Sequence, residues 1–427
     1  MPARLPSLLF LGALLLGGAA TQGDSPDPLF DGIPFEDWVA AHASGPFHWK
    51  VLPPHAALSF HQRLELPVQV ELDGRDLAGR SPDSTLLFLV QITDRNGTRY
   101  RHHYSLDLKK SGEDMKNSML QITQPAFVLP GDYQLAVAIA DTRTHEHSGT
   151  ELSFRVPRED EPIPGIWSKV PAVEFINEDE KPPDAWYLPS IEDPLPWADS
   201  AASRARLNVV LNVDAATSES ARAGEASGGL PALLPILKVL TSSGSAGLAG
   251  SVNVLDLSRR HNVFSQPDVK PVDWPQLKTA LAGANTASID VRSLSERGHA
   301  QFFVSEVRKA LRAAESPSVL VVLSTPVSFD SGEDLSPIAL EALPECRAFY
   351  IRYSKPVLSN RGFVPRGRPG FGGWEGPRGM GRPMPHLAVD QLEATLKPLH
   401  PKVFDVTSPE QMAKALREIR AALVAAP

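Results

Sequence analysis

Cysteine is all but missing: Cys346 stands alone in 427 residues. One thiol cannot close an intramolecular disulfide, so packing alone must hold the fold. No stretch reaches the ~20 apolar residues that a bilayer-spanning helix takes. The run from Leu5 to Leu16 falls short of that length and carries a telling frame, with Arg4 before it and Gly17-Gly-Ala-Ala20 after it, ahead of a polar stretch from Thr21. A positive charge, an apolar core and small residues at a cleavage point compose a secretory leader. Residues 1–20 are therefore expected to be a signal peptide cleaved near Ala20, leaving a secreted or periplasmic chain without a transmembrane segment. Basic excess is missing as well. The net charge of −8 makes nucleic acid an unexpected partner, because its binders concentrate Lys and Arg. Nor is there a Walker A loop, a Gly-x-Ser-x-Gly elbow, a His-Glu-x-x-His helix or a Gly-x-Gly-x-x-Gly turn. No catalytic residue is assigned, and the chain is expected not to be an enzyme.

Proline, by contrast, is abundant at 40 residues. A residue that fixes φ and lacks an N–H gathers in linkers, turns and edges, which points to a modular chain. Residues 21–46 read as an N-terminal linker. From Phe47 to Val156 the apolar residues alternate, the spacing of half-buried strands. Leu64 to Leu72 is the clearest case, with Pro67 suggesting an edge. Thr85 to Thr93 reads as a central strand, returning through Arg99 to Leu108. Between them, Asp94-Arg-Asn96-Gly97 predicts a type I′ hairpin with positive φ at both central residues. Three further strands follow, around Met119, Tyr133 and Phe154. Such spacing predicts an all-β sandwich over 47–156, and Leu129-Pro-Gly-Asp-Tyr133 resembles the entry to a late strand of immunoglobulin-like modules.

Residues 157–203, rich in proline and acid and carrying Trp167, Trp186 and Trp197, read as a stiff linker whose tryptophans dock on a neighbouring domain. From 204 to 427 apolar strands alternate with helical segments. Strands are expected at Leu207–Val213, Val252–Leu257, Ser288–Val291, Val319–Leu323, Ala348–Ile351 and Lys402–Val406, with a hairpin partner up to Phe264. Helices are expected at Leu230–Leu240, Trp274–Leu281, Phe302–Ala313, Val389–Leu396 and Pro409–Val424. This alternation implies an open α/β sheet with helices on both sides and a ligand-binding edge at the strands' carboxyl ends. One insertion, 361–385, is dominated by Gly, Arg and Pro and cannot bury a core.

The strand ending in Asp214-Ala-Ala-Thr-Ser218 and the later strand from Val319 to Thr325, on this α/β order, resemble a von Willebrand factor type A domain of the open, Rossmann-like kind. The likeness covers about residues 205–425 and extends to exported bacterial proteins related to that family, with a β-sandwich ahead of the module. The resemblance implies a module that binds Mg²⁺ or Mn²⁺ through Asp-x-Ser-x-Ser after the first strand, a threonine in a later loop and an aspartate after the fourth strand. Asp214 and Ser218 match the ends of that motif, while Ala216 stands where a hydroxyl is expected and Ser324-Thr325-Pro326 where an aspartate is expected. Thr286, Asp330 and Asp334 are substitutes fixed by no motif. A hard cation needs several oxygen ligands, so the site reads as degenerate, with no bound cofactor expected and Asp214 and Ser218 capping the turn into the next helix.

Other groupings carry less. His145-Glu146-His147 falls in a polar turn and lacks a third zinc ligand. His102 and His103 lie on opposite faces of a strand. In the insertion, Arg366, Arg368 and Trp374 combine charge and stacking in the manner of segments that contact anionic polymers. The resulting expectation is an exported, non-enzymatic protein that contacts a protein or cell-surface partner through the rim near Asp214, Ser218 and Thr325, with Arg366, Arg368 and Trp374 as accessories. An extracytoplasmic hydrolase or carbohydrate-binding protein, and a scaffold in an envelope complex, are the alternatives.

Overall fold

A computed structural model describes residues 27–41, 47–110, 118–158, 161–168, 170–176, 205–213, 229–242, 249–267, 269, 272–286, 298–312, 317–327, 346–354 and 390–425. The chain is sheet-rich, with antiparallel and mixed sheets. It forms two compact units, one made of Met1–Leu52, Gln69–Ile122 and Gly131–Arg155, the other of Pro53–Val68, Thr123–Pro130 and Val156–Pro427. The expected boundary near residue 156 is thus corrected, since 53–68 and 123–130 leave the predicted sandwich for the second unit. The pairing explains why. The strands are β1 (Trp49–Val51), β2 (Ala57–Leu58), β3 (Leu64–Asp73), β4 (Thr85–Asp94), β5 (Arg99–Asp107), β6 (Met119–Val128), β7 (Gly131–Asp141), β8 (His147–Val156) and β9 (Val173–Phe175). The late β9 pairs with Ala126–Val128 at the end of β6 and draws it into the second unit. The first part of the expected linker 157–203 is accordingly a built segment.

In the first unit, β5-β4-β7-β8 form a four-stranded sheet in which β4 runs antiparallel to both β5 and β7. Period two assigns its faces. Phe88, Val90 and Ile92 of β4 stand opposite Ile139, Val137 and Leu135 of β7, while Leu89 points the other way, opposite Ala138. On that second face the expected linker 21–46 is again corrected. Residues Pro28–Asp31 (α1) and Phe35–Ala40 (α2) are helical, and Phe30, Phe35 and Val39 pack on Leu89, Ala136 and Ala138. The alanines leave room for the helices. Gly149 on β8 goes further, since a Cβ there would lie 2.7 Å from the Trp38 carbonyl oxygen and 2.9 Å from the Val39 Cα. Trp38 stacks on His147 with centroids 4.5 Å apart, and Asp27 caps α1 while pairing with His103 at 2.6 Å. A third helix, α3 (Gly74–Ala78), follows β3.

Two local expectations change. Asn96 keeps negative φ and only Gly97, at 82°, is left-handed. Both the Asn96 and Thr98 N–H groups donate to the Asp94 carboxylate, the Gly97 N–H donates to the Asp94 carbonyl, and Asp94 N–H donates to Thr98 O. This is a three-residue loop closing on a left-handed glycine, and the Asp94 side chain selects it over the type I′ turn. Pro67 does not mark an edge strand. β3 lies between β6 on one side and both β1 and β2 on the other, in the order β1-β3-β6-β9 with β2 beside β3. β1 covers Val70–Leu72 and β2 covers Leu64–Glu65, so Pro67 falls in the gap, where no partner asks for its N–H.

The second unit is built on β10 (Arg206–Asn212), β11 (Gly250–Asp256), β12 (His261–Gln266), β13 (Ser318–Ser324), β14 (Cys346–Tyr353) and β15 (Lys402–Val406), ordered β12-β11-β10-β13-β14-β15. All neighbours are parallel except the β11–β12 hairpin. Its helices are α4 (Leu230–Thr241), α5 (Trp274–Thr286), α6 (His299–Arg312), α7 (Gln391–Leu396) and α8 (Pro409–Val424). Every residue of β13 is buried, as a parallel strand covered on both faces requires. One face packs Val210, Leu320, Val322 and Tyr350 against Phe303 and Val307 of α6 and Leu392 and Leu396 of α7. The expected strand Ser288–Val291 lies outside the described residues.

The tight approach at Gly149 sets a test. Gly149→Val should lower stability by about 1–3 kcal/mol, the usual cost of overpacking. Gly79→Ala, where a Cβ meets nothing within 4 Å, should stay within about 0.5 kcal/mol of the parent. Urea unfolding of the two variants makes the comparison.

Candidate functional site

Numbered from β10, the sheet runs 3-2-1-4-5-6, and its order reverses between β10 and β13. Open α/β sheets hold ligands in the crevice at such a switch point, outside the strands' carboxyl ends. Here β10 ends in Asn212 and β13 in Ser324, both buried. The Asn212 amide donates to the Ser324 hydroxyl at 3.0 Å, and that hydroxyl donates to the Thr325 carbonyl at 2.7 Å. An amide in an apolar strand is costly unless it is bonded, and this relay satisfies it while locking the ends of the two central strands together. Thr325 follows, half-buried. Its Cγ2 lies 2.7 Å and Tyr353 Cδ1 3.0 Å from where a Cβ on Gly229 would stand. Glycine at the start of α4 thus allows the helix to sit directly on the rim.

Beside it, one carboxylate organises the ends of β13 and β14. Asp390 caps α7 by accepting from Leu392 N–H at 3.2 Å, and it also accepts from Val327 N–H at 3.4 Å, Tyr350 OH at 2.8 Å and Arg352 Nη1 at 3.3 Å. Arg352 reaches Glu393 at 2.8 Å and Asp405 at 2.6 Å as well. The Asp405 hydrogen bond raises the Arg352 pKa, and burial with the Asp390 charge pushes the Tyr350 phenol well above its usual range. The guanidinium stays charged and the phenol stays a donor, so the network reads as a clamp.

A second cluster lies in the same unit, at the β2–β3 turn. Arg63, fully buried, pairs with Glu174 and stands over the Phe127 ring at 4.6 Å. Burial, with Lys238 and Arg63 adding their repulsion, holds His61 down at about 3, and burial brings Lys238 down to about 8. Trp167 donates its indole N–H to the Gln62 carbonyl at 2.8 Å, which places one of the three tryptophans of the expected linker in a packed position.

Of the residues singled out from sequence, Thr325 sits on the rim. Asp214, Ser218, Arg366, Arg368 and Trp374, like Asp330, Asp334, Trp186 and Trp197, lie outside the described residues. Among the described residues no group of three or more His, Cys, Asp or Glu is placed to hold a metal. Those that line the switch point offer an amide and a hydroxyl already engaged with each other, the Thr325 side chain, and no carboxylate. They do not fit an Mg²⁺ or Mn²⁺ shell by themselves. Cys346 is half-buried, and burial raises its thiol pKa, which keeps the thiolate scarce. Sequence reasoning missed Asn212 and Ser324. The available signal was polar Asn208 and Asn212 recurring in an otherwise apolar strand.

Asn212→Ala should cost about 1–3 kcal/mol, the penalty for an unmet buried partner. In the pair Asn212→Leu with Ser324→Ala the loss should be smaller than the sum of the two singles, because both polar groups leave together. Denaturant unfolding of the parent, Asn212→Leu, Ser324→Ala and their double reads the coupling, and strict additivity would show that the relay holds nothing.

No family model matches the chain, and no curated protein does. Among solved structures it is similar to a putative ApaA protein from Bordetella pertussis at 12% identity and TM-score 0.19, over 27% of this chain and 98% of that one. It is also similar to the structural-genomics target SoR45 at 12% identity and TM-score 0.15, over 28% of this chain and 86% of that one.

Proposed function

We propose that this chain is an exported, non-enzymatic binding protein whose α/β sheet, a von Willebrand A-like module accompanied by an immunoglobulin-like β unit, contacts a protein partner through its carboxyl rim without a resident metal. The observation that carries the reading is the rim at the β10–β13 switch point. The order 3-2-1-4-5-6 with an antiparallel edge strand supports an open doubly wound module. Val213, Val327 and Ser354, from which the connections 214–228, 328–345 and 355–389 leave the sheet, stand at that rim, and His299, which follows the connection 287–297, bonds the Leu257 carbonyl just past β11 at 2.8 Å. Long connections on a rigid sheet are where binding residues concentrate. The engaged state of Asn212 and Ser324 favours a metal-free contact over the metal-dependent one that Asp214 and Ser218 suggest.

The experiment takes the full mature chain, because 53–68, 123–130 and 156–176 belong to the same unit as the sheet. A photoreactive residue at exposed Pro326 on the rim should cross-link one discrete protein in the producing cell, while the same residue at exposed Lys414 on α8 should not. Thermal unfolding should be equal in chelator and in millimolar Mg²⁺ or Mn²⁺. A cation-dependent rise that Asp214→Ala abolishes would overturn the metal-free reading, since a ligand at a hundredfold its Kd adds about 2.7 kcal/mol. Equal cross-linking at the two sites would overturn the rim.

A further inference from the structure

The β2–β3 turn touches the same rim from within the second unit. Phe60 stands edge-on to Tyr353 with ring centroids 5.5 Å apart. Tyr353 in turn presses, with Thr325, on Gly229. Two residues on, Gln62 Nε2 donates to the Pro409 carbonyl at the start of α8, at 3.3 Å. The turn itself is closed by Gln62 N–H to Ser59 O and Ser59 N–H to Arg63 O, both at 2.9 Å. It also stores strain. Gln62 has φ 60° without being glycine, and its side chain is fully buried with Oε1 finding no partner among the described residues. Strained backbone of this kind persists where the surroundings hold it, and it collects at switch regions.

We infer that the turn Ser59–Arg63 is a built-in cover of the carboxyl rim, which has to lift before a partner can engage Tyr353 and Thr325. This rests on the reading of the rim as the contact face and names how that face is controlled. Charge gives the cover its trigger. The charged groups that face His61 are Arg63, in the same turn just before β3, and Lys238 on α4, with Glu174 on β9 as the counter-charge that Arg63 and Lys238 share. Phe127 fills another side, with centroids 5.3 Å apart. A proton on His61 would add a third cation to two already there, on a largely buried ring. The closed imidazole, at about 3, lies below the ordinary 6.5 of the open one. The closed turn is therefore fully favoured above pH 6.5 and loses that advantage as pH falls from 6.5 toward 3. An acidic compartment would uncover the rim.

Hydrogen exchange of the full mature chain, compared at pH 7.5 and pH 5.0 after correction for intrinsic rates, tests this without knowledge of the partner. Opening of 57–64 should rise about 30-fold, the factor for an imidazole that takes its proton at the ordinary value only when open. Peptides 350–354 and 229–234 should lose protection in step. In His61→Leu the pH response of all three should vanish, and in Phe60→Ala 350–354 should be deprotected already at pH 7.5. A wild-type turn whose protection ignores pH, or one that opens while 350–354 and 229–234 stay closed, would overturn the cover, even if a variant fails to fold. The cross-link at Pro326 decides the rim reading separately, so loss of one leaves the other standing.

Discussion

Everything in the second unit follows from burying the β10–β13 pair on both faces. A strand whose every residue is inside can satisfy its backbone only through neighbouring strands, and its side chains only through helices above and below. Parallel pairing then obliges each strand to return through a crossover, which supplies those helices. What remains open to a partner is the strand ends. The polar relay from Asn212 through Ser324 to Thr325 sits where the apolar run stops. The transition from core to rim is therefore made by bonded polar groups and not by exposed apolar surface.

The unit does not stop at the sheet. Residues 53–68, 123–130 and 156–176 belong to it, and the Trp167 indole bonded to Gln62 ties two of these segments together. A turn with a left-handed glutamine is an expensive device for mere connection. Its contacts with Tyr353 and Pro409 give the strain a purpose, because they bring the turn to the ends of the strands where binding is expected.

Periodicity made much of this readable. Pro409–Val424 is helical over the expected span because Ser408 caps it, its proline stands at the first turn, and its buried residues recur at helical spacing. The β11–β12 hairpin and the run Val319–Leu323 were equally plain. Contacts distant in sequence were not readable. Helices of four and six residues, α1 and α2, are too short to show a period and exist because alanines and Gly149 far along the chain leave room for them. Pro67 looked like an edge because sequence does not reveal that its partner strand is broken. Thr325 was legible as a rim residue from its position after the most apolar strand. The Asn212 relay and the His61 cluster depend on partners distant in sequence, Ser324 for the first and Phe127, Glu174 and Lys238 for the second, and no local pattern announces them.

The clamp around Asp390 fixes the rim at the point where a long connection returns to it. The chain leaves β14 at Ser354 and re-enters the described structure at Asp390. Between them lies the sequence richest in Gly, Arg and Pro, whose composition offers nothing to pack. Asp390 answers Val327, Tyr350, Arg352 and its own helix at once, while Ser354 N–H bonds to the Val406 carbonyl at 3.0 Å. Both points of attachment are thus fixed to the sheet by bonds that involve no residue of the intervening segment. Arg352, shared among three carboxylates, would leave Asp390 short of a counter-charge if it were neutral, and its pKa is moved in the direction that prevents this. Among the described residues, the bonds that hold the attachment points come from the ends of β13, β14 and β15 and from α7. For the proposed contact at the rim, attachment points anchored in this way separate what is recognised from what holds the sheet together.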